Sequence, residues 1–336
     1  MKVLITGGCG FIGQHLARRL VRQGSDVVAL DVLNPQVHLE PESSRLAFPG
    51  AVVVGDIASP DAWDAVSNIG SFGAVVHLAA ETGTGQSMYE HERYRRTNVD
   101  GTRSAGLFAS SHDIPLVSLS SRAVYGEGAP DRPSYEDDPH QPVSFYGETK
   151  SLAEQEVAGF ACSVPITTIR PQNVIGPGQA LHNPYTGVLA AFLAMLREQR
   201  PLTVYGDGSQ TRDFIHVQDL AELVVWCLEH PAVTGEQRVL NSGTGTRTTL
   251  LELARLAVAA SPHDVGVEHL AVSRAGDINH ACASLDRLRT VGAPEPRWSP
   301  ADAVTEFIQW SWDRPGASSS AWDQALGELS DRGLVE

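Results

Sequence analysis

Two short stretches carry the residue types best suited to chemistry: SSRAVYG at 120–126 and YGETK at 146–150. Tyr146 and Lys150 are four residues apart, which places them on one face of a helix. A phenol has a pKa near 10 and is a poor base at neutral pH. A nearby ammonium favours the phenolate and lowers that value. A tyrosine activated in this way takes a proton from an alcohol. The hydroxyls of Ser120 and Ser121 either share in that transfer or only position its substrate.

These groups need a scaffold, and the chain alternates strand-like and helix-like runs. Apolar runs at Lys2–Thr6, Asp26–Leu30, Ala51–Val54, Ala74–Leu78, Pro115–Ser120 and Pro165–Arg170 read as strands. Helical spacing covers Phe11–Gln23, a long Met88–Ser111 stretch and Phe145–Phe160. The alternation predicts a parallel, doubly wound α/β sheet over residues 1–170. After about Pro171 turn residues become denser, and a smaller mixed α/β domain is expected over 171–336, with helices at Val188–Arg197 and Gln218–Glu229. No internal repeat is visible.

The chain has 336 residues, 42% of them hydrophobic and 19% charged, with a net charge of −15. The acidic balance argues against nucleic acid or an anionic membrane as partner. The four cysteines, Cys9, Cys162, Cys227 and Cys282, are dispersed and imply neither a metal framework nor disulfides. No apolar run approaches a membrane span, and the N-terminus enters a strand at once, so a cytoplasmic location is expected.

ITGGCGFIG places Gly7, Gly10 and Gly13 between the first strand and the first helix. Gly7 permits the tight turn, Gly10 lets the backbone approach a pyrophosphate, and Gly13 lets helix and strand pack closely. Asp31 ends the second strand, where a carboxylate hydrogen-bonds the adenosine ribose of a dinucleotide. It repels a 2′-phosphate, and Val32, Leu33 and Asn34 offer no cation to receive one. NAD is therefore expected over NADP, on a Rossmann-type domain. Asp56 and Ile57 either hold the adenine, or Asp56 caps a helix from Pro60. With NAD in place, Tyr146 can take the proton while hydride leaves the same carbon.

TGGCGFIG, GDI, HLAA at 77–80, SSRAVYG and YGETK, in this order, resemble the extended short-chain dehydrogenase/reductase family across essentially the whole chain. More narrowly, NVIGPGQ (173–179), YGDGSQTRDFIHVQDL (205–220) and RAGDINH (274–280) resemble its nucleotide-sugar epimerase/dehydratase branch. The resemblance implies a Ser121, Tyr146, Lys150 triad. Ser121 would bond the reacting oxygen, Tyr146 would act as base and then acid, and Lys150 would bind the nicotinamide ribose. It implies a cofactor wall that adds Phe11, Ile12, Asn34, Leu78, Ala79, Ala80, Thr82, Asn98 and Ser120. Asn98 would sit near the cofactor or hold a water by Lys150. Asn173, Arg212 and Arg274 would grip a diphosphate, the arginines being otherwise solvated ion pairs. Arg122, Asn183, Tyr205 and Asp277 join the expected substrate set. It further implies a homodimer built on the two long helices as a four-helix bundle.

Thr82, Thr84, Gln86 and Ser87 either face a hexose or cap the helix from Met88, with Ser87 as its N-cap. Tyr185 either stacks on a nucleotide base or packs in the core. Asn279 departs from the arginine expected in a GDIRH-like segment.

Three reactions share such a scaffold: 4-epimerisation, 4,6-dehydration and 4-ketoreduction. The dehydratase members carry an Asp-Glu pair directly after the catalytic Ser/Thr. Here those positions are Arg122 and Ala123, which cannot protonate a leaving hydroxyl. Glu127 lies beyond the VYG. Leu30–His38, Glu81–Glu90 and Ala180–Phe192 resemble a subgroup that includes dTDP-L-rhamnose 4-epimerase-like proteins and deoxysugar 4-ketoreductases. The expectation is an NAD-dependent nucleotide-sugar (dTDP- or UDP-hexose) 4-epimerase. The ketoreductase is the alternative, and a non-catalytic NAD-binding regulator stands as a different class of protein.

Overall fold

The computed structural model describes residues 1–183, 187–270, 277–316 and 318–333. Seven parallel strands form one sheet in the order Ala51–Val54, Asp26–Asp31, Lys2–Thr6, Ala74–His77, Leu116–Leu119, Ile166–Pro171 and Gln237–Ser242. Successive side chains of a strand leave on opposite faces. Val3 and Ile5 therefore pack against helices Phe11–Arg22 and Val217–Glu229. Leu4 packs on the other face with Trp63, Phe108 and Val157. Because helices cover both faces, the strands read as continuous apolar runs.

The seventh strand comes from the second half of the chain and pairs with Ile166–Pro171. Its sequence, QRVLNS, is too polar at its ends to read as a buried strand. The rest of the second half builds a separate core in which helices Val188–Arg197, Leu250–Ala260 and Pro300–Ser311 surround Phe192, Phe214 and Phe307.

The helix expected over Met88–Ser111 runs from His91 to Ser111 and carries a π-turn, Arg96–Asp100, between its α-helical parts His91–Arg95 and Gly101–Ser111; a separate short helix, Thr84–Ser87, precedes it. A π-turn inserts an extra residue and re-aims the side chains around it. Here it turns Asn98 fully inward. Its amide oxygen accepts from the Glu81 N–H at 2.8 Å, and its nitrogen donates to the Glu81 carbonyl at 3.1 Å and to Thr149 Oγ1 at 3.0 Å. Asn98 thus ties the loop after the fourth strand to the helix carrying Tyr146 and Lys150.

His77 lies behind the same wall. Thr102 Oγ1 donates to the Asn98 carbonyl at 2.6 Å, so it accepts from His77 Nε2, 2.8 Å away, and Thr6 Oγ1 donates to Nδ1 at 2.8 Å. That network assigns the neutral Nε2–H tautomer. Burial, helped by the Lys150 charge, pushes the imidazole pKa from 6.5 down to about 3. Between those values the unfolded chain binds a proton that the folded chain refuses, so stability falls as pH drops through that window. Melting temperatures at pH 7 and pH 5 are expected to differ more for the wild type than for His77→Gln. Equal pH sensitivity in the two proteins would contradict this account.

Candidate active site

In a doubly wound sheet, ligands bind beyond the carboxyl ends of the strands where the strand order reverses. That point lies here between Lys2–Thr6 and Ala74–His77. Gly7 turns there with φ +66°, and a Cβ on it would stand 2.8 Å from the Ala79 nitrogen. A Cβ on Gly13 would stand 2.5 Å from the Gly8 carbonyl oxygen, so the helix closes on the loop only with glycine there. The cleft that opens above has a volume of about 1360 Å³. That exceeds the roughly 300–1000 Å³ of a single small-ligand pocket and suits two elongated ligands.

The expected cofactor residues converge on this cleft. Gly7, Gly10, Phe11, Ile12 and Gly13 line its floor. Asp31, Asn34, Asp56 and Ile57 line one end, and Leu78, Ala79, Ala80 and Thr82 line the wall. Asn98 braces that wall from behind. Asp31 is buried, and its oxygens accept from the backbone N–H of Cys9 at 3.0 Å and of Leu33 at 2.9 Å. A carboxylate has lone pairs left for further donors. Asp56 does not cap the helix from Pro60, whose N-cap position is Ser59. It accepts from Ala58 N–H at 2.8 Å and pairs with Arg96 at 2.7 Å, which holds its carboxyl below the usual range.

The fit to a dinucleotide has a local sign. Ser120 Oγ and Gln172 Oε1 are buried at this cleft and have no hydrogen-bond partner among the described residues. Buried polar atoms of that kind call for a partner.

Ser121, Tyr146 and Lys150 meet at the same cleft. Ser121 caps the 3-10 turn Arg122–Tyr125, its Oγ accepting from Ala123 N–H at 3.1 Å. Ser144 caps the helix Phe145–Ala158 by accepting from Gly147 N–H at 3.2 Å. The Tyr146 amide, one of the first-turn donors that a helix cannot satisfy itself, donates to Ser87 Oγ at 3.0 Å. Ser87 is therefore not the N-cap of a long helix; it anchors the helix that carries Tyr146 and Lys150.

Burial pushes the Tyr146 phenol above its ordinary value, while a hydrogen bond with Ser121 and the Arg122 charge pull it back. The Lys150 ammonium donates to the Leu119 carbonyl at 2.8 Å, and burial lowers its pKa to about 8. The sequence pointed to Lys150 as the group in the chain that lowers the phenol. In the structure that influence comes from Ser121 and Arg122.

The substrate-side expectations divide. Asn173 lines the cleft. Gln86 and Asn183 are buried away from it, where Gln36 Nε2 donates to Gln86 Oε1 at 2.9 Å and to Asn183 Oδ1 at 3.5 Å. Thr84, Tyr205 and Asp277 are likewise not on its lining. Arg212 is buried, donating to Asp277 Oδ1 at 2.7 Å and to the Ile278 carbonyl at 2.6 Å. Arg122 donates to the Gly126 carbonyl, and burial with Arg212 nearby lowers its pKa to about 10. Tyr185 and Arg274 lie outside the described residues.

Sequence reasoning missed Glu81 and Arg93, which also line the cleft. Arg93 donates to Glu81 at 2.7 Å, Glu90 at 2.9 Å and Gln36 at 2.9 Å, tying the loop after the second strand to the loop after the fourth. Only the acid directly after HLAA hinted at this.

Glu127, the remaining carboxylate near the VYG, is occupied. It accepts from the backbone N–H groups of Asn279 and His280, both at 2.8 Å. It clamps the Asn279 segment and does not face the triad.

A glycine loop at the switch point of a parallel sheet, an acid ending the second strand and a Tyr-Lys pair at the cleft define a dinucleotide-binding Rossmann-type protein of the short-chain dehydrogenase/reductase kind. The chain belongs to the NAD dependent epimerase/dehydratase family, whose pattern matches residues 3–243. It is 34% identical to a dTDP-L-rhamnose 4-epimerase of Burkholderia thailandensis, covering 92% of this chain and 94% of that protein. It is 30% identical to a UDP-glucose 4-epimerase of Halalkalibacterium halodurans, covering 94% and 96%. The solved structure of a Bacillus cereus UDP-glucuronic acid 4-epimerase in complex with UDP-glucuronic acid and NAD superposes with a TM-score of 0.83 at 25% identity, covering 92% and 98%. Among the described residues, no helix is long and apolar enough to cross a membrane.

Proposed function

We infer that the protein is an NAD-dependent nucleotide-sugar 4-epimerase acting on a dTDP- or UDP-hexose. The observation that carries this reading is the convergence of Ser121, Tyr146 and Lys150 on one cleft floored by the Gly7–Gly13 loop. NAD, when bound, supplies the acceptor and then the donor of the hydride at C4.

The chain's own residues have the remaining work. Tyr146 Oη takes the proton of the C4 hydroxyl and later returns it. Ser121 Oγ holds the same oxygen. Lys150, fixed to the Leu119 carbonyl, presents its charge to the nicotinamide ribose. Asp31 holds the adenosine ribose, and Asp56 with Ile57 borders the adenine. Asn173, on the cleft, is assigned to the diphosphate, with residues 171–336 supplying the nucleotide-sugar side and 1–170 the cofactor side. Arg122 and Ala123 leave the elimination step of a dehydratase without an acid, and Glu127 is held elsewhere.

A homodimer through helices Gly101–Ser111 and Phe145–Ala158 belongs to the same reading. Leu107 and Leu152 are exposed on them, 55% and 39%, as apolar side chains awaiting a partner helix are. The class of enzyme argues for the cytoplasm.

The test is turnover of dTDP- and UDP-hexoses by protein purified without added cofactor. Product is expected without NADH or NADPH, and NAD is expected to co-purify. A requirement for stoichiometric reduced cofactor would replace this reading with the ketoreductase.

A further inference from the structure

The loop after Asp31 is built with more care than a connection needs. Leu33 sits in the left-handed region at φ +53°, a conformation costly for a side chain with a Cβ. Asn34 then organises a turn. Its Oδ1 accepts from Gln36 N–H at 3.0 Å, and its carbonyl accepts from the N–H groups of Val37 and His38, both at 2.9 Å. The turn folds His38 back over Asp31. The imidazole is only 5% exposed, and Nε2 stands 3.6 Å from Asp31 Oδ1.

That separation is too long for a direct hydrogen bond. Asp31 already accepts two backbone amides, and the His38 ring makes no hydrogen bond among the described residues. Both side chains line the same end of the cleft. A buried imidazole and a carboxylate 3.6 Å apart on the same end of the cleft leave room beside them for one hydroxyl that hydrogen-bonds to both.

We propose that His38 is a second ribose-reading residue, and that Asp31 and His38 together hold one hydroxyl of the adenosine ribose of NAD. The hydroxyl donates to Asp31 Oδ1 and accepts from His38 Nε2–H. A carboxylate with an N–H donor beside it recognises an alcohol, and the carboxylate repels a phosphate, so the pair sets the preference for NAD. It follows that neutralising Asp31 leaves His38 as the group able to meet a 2′-phosphate. This proposal rests on the assignment of Asp31 to the ribose made above.

Binding of NAD, 2′-deoxy-NAD and NADP by calorimetry to wild type, His38→Ala, His38→Gln and Asp31→Asn tests it, with melting curves to confirm folding. The loss of one hydrogen bond is expected to weaken NAD binding about tenfold in His38→Ala. That variant is expected to discriminate less between NAD and its 2′-deoxy form. His38→Gln, which keeps an N–H donor, is expected to recover part of the loss. Asp31→Asn is expected to gain NADP binding, and to lose that gain when His38→Ala is added. Wild-type discrimination in both His38 variants, with Asp31→Asn impaired for NAD, would overturn the proposal and leave Asp31 on the ribose. Unchanged binding in all the variants would remove both. Should His38→Ala not fold, the ratio of NAD to 2′-deoxy-NAD affinity in His38→Gln decides: a wild-type ratio with weakened Asp31→Asn refutes the proposal.

Discussion

Tyr146→Phe is expected to lower kcat by about 100- to 10,000-fold while NAD still co-purifies with the protein. General acid–base groups contribute about that factor, and here no second group stands ready. The Ser121 hydroxyl shares the cleft with Tyr146 but has no base of its own. Glu127 is clamped by Asn279 and His280, and Lys150 is turned to the Leu119 carbonyl. Phenylalanine keeps the ring's packing and removes only the proton carrier. The glycine loop and Asp31 are untouched, so cofactor binding measures folding independently of turnover. Retention of more than about half of wild-type kcat would show that another group moves the proton.

Arg170→Met is expected to cost about 3–5 kcal/mol of stability, as removing one partner of a buried ion pair does. Arg170 and Glu154 are 4% and 5% exposed. The guanidinium spans both Glu154 oxygens at 2.9 and 2.7 Å and also donates to Tyr125 Oη and the Glu136 carbonyl, each at 2.9 Å. Without it, Glu154 is a buried charge with its fork removed. Tyr146, Lys150 and Glu154 are spaced four apart on one helix, so the pair also fixes the face that carries Tyr146 and Lys150. Urea denaturation should show the loss, and Arg170→Met with Glu154→Leu should recover most of it, because the double change removes the uncompensated charge. A single-variant loss under about 1 kcal/mol would mean that water reaches the site.

What the sequence revealed depended on distance along the chain. The glycine loop, Asp31, Leu78–Ala80 and the Ser-Tyr-Lys set are local motifs, and the sheet brings them to one cleft. The six strands of the first half were legible because parallel strands are apolar throughout. The seventh was not, because its edge carries Gln237 and Arg238. The long helix was legible and runs as His91–Ser111, but its π-turn was not, because that turn answers to the partners of Asn98 at Glu81 and Thr149. Gln86 and Asn183 looked free to meet a sugar because nothing local reveals Gln36 as their partner. Arg212 is drawn to Asp277 for the same reason, since a side chain's partner far along the chain becomes visible only in the fold.

The central claim is that C4 is oxidised and re-reduced by one retained cofactor, with Tyr146 carrying only the proton. A nucleotide hexose bearing deuterium at C4, converted in ordinary water and followed by NMR, tests it directly. The account predicts that the epimer keeps deuterium at C4, because the hydride never exchanges with solvent. Replacement of that label by solvent hydrogen would contradict it.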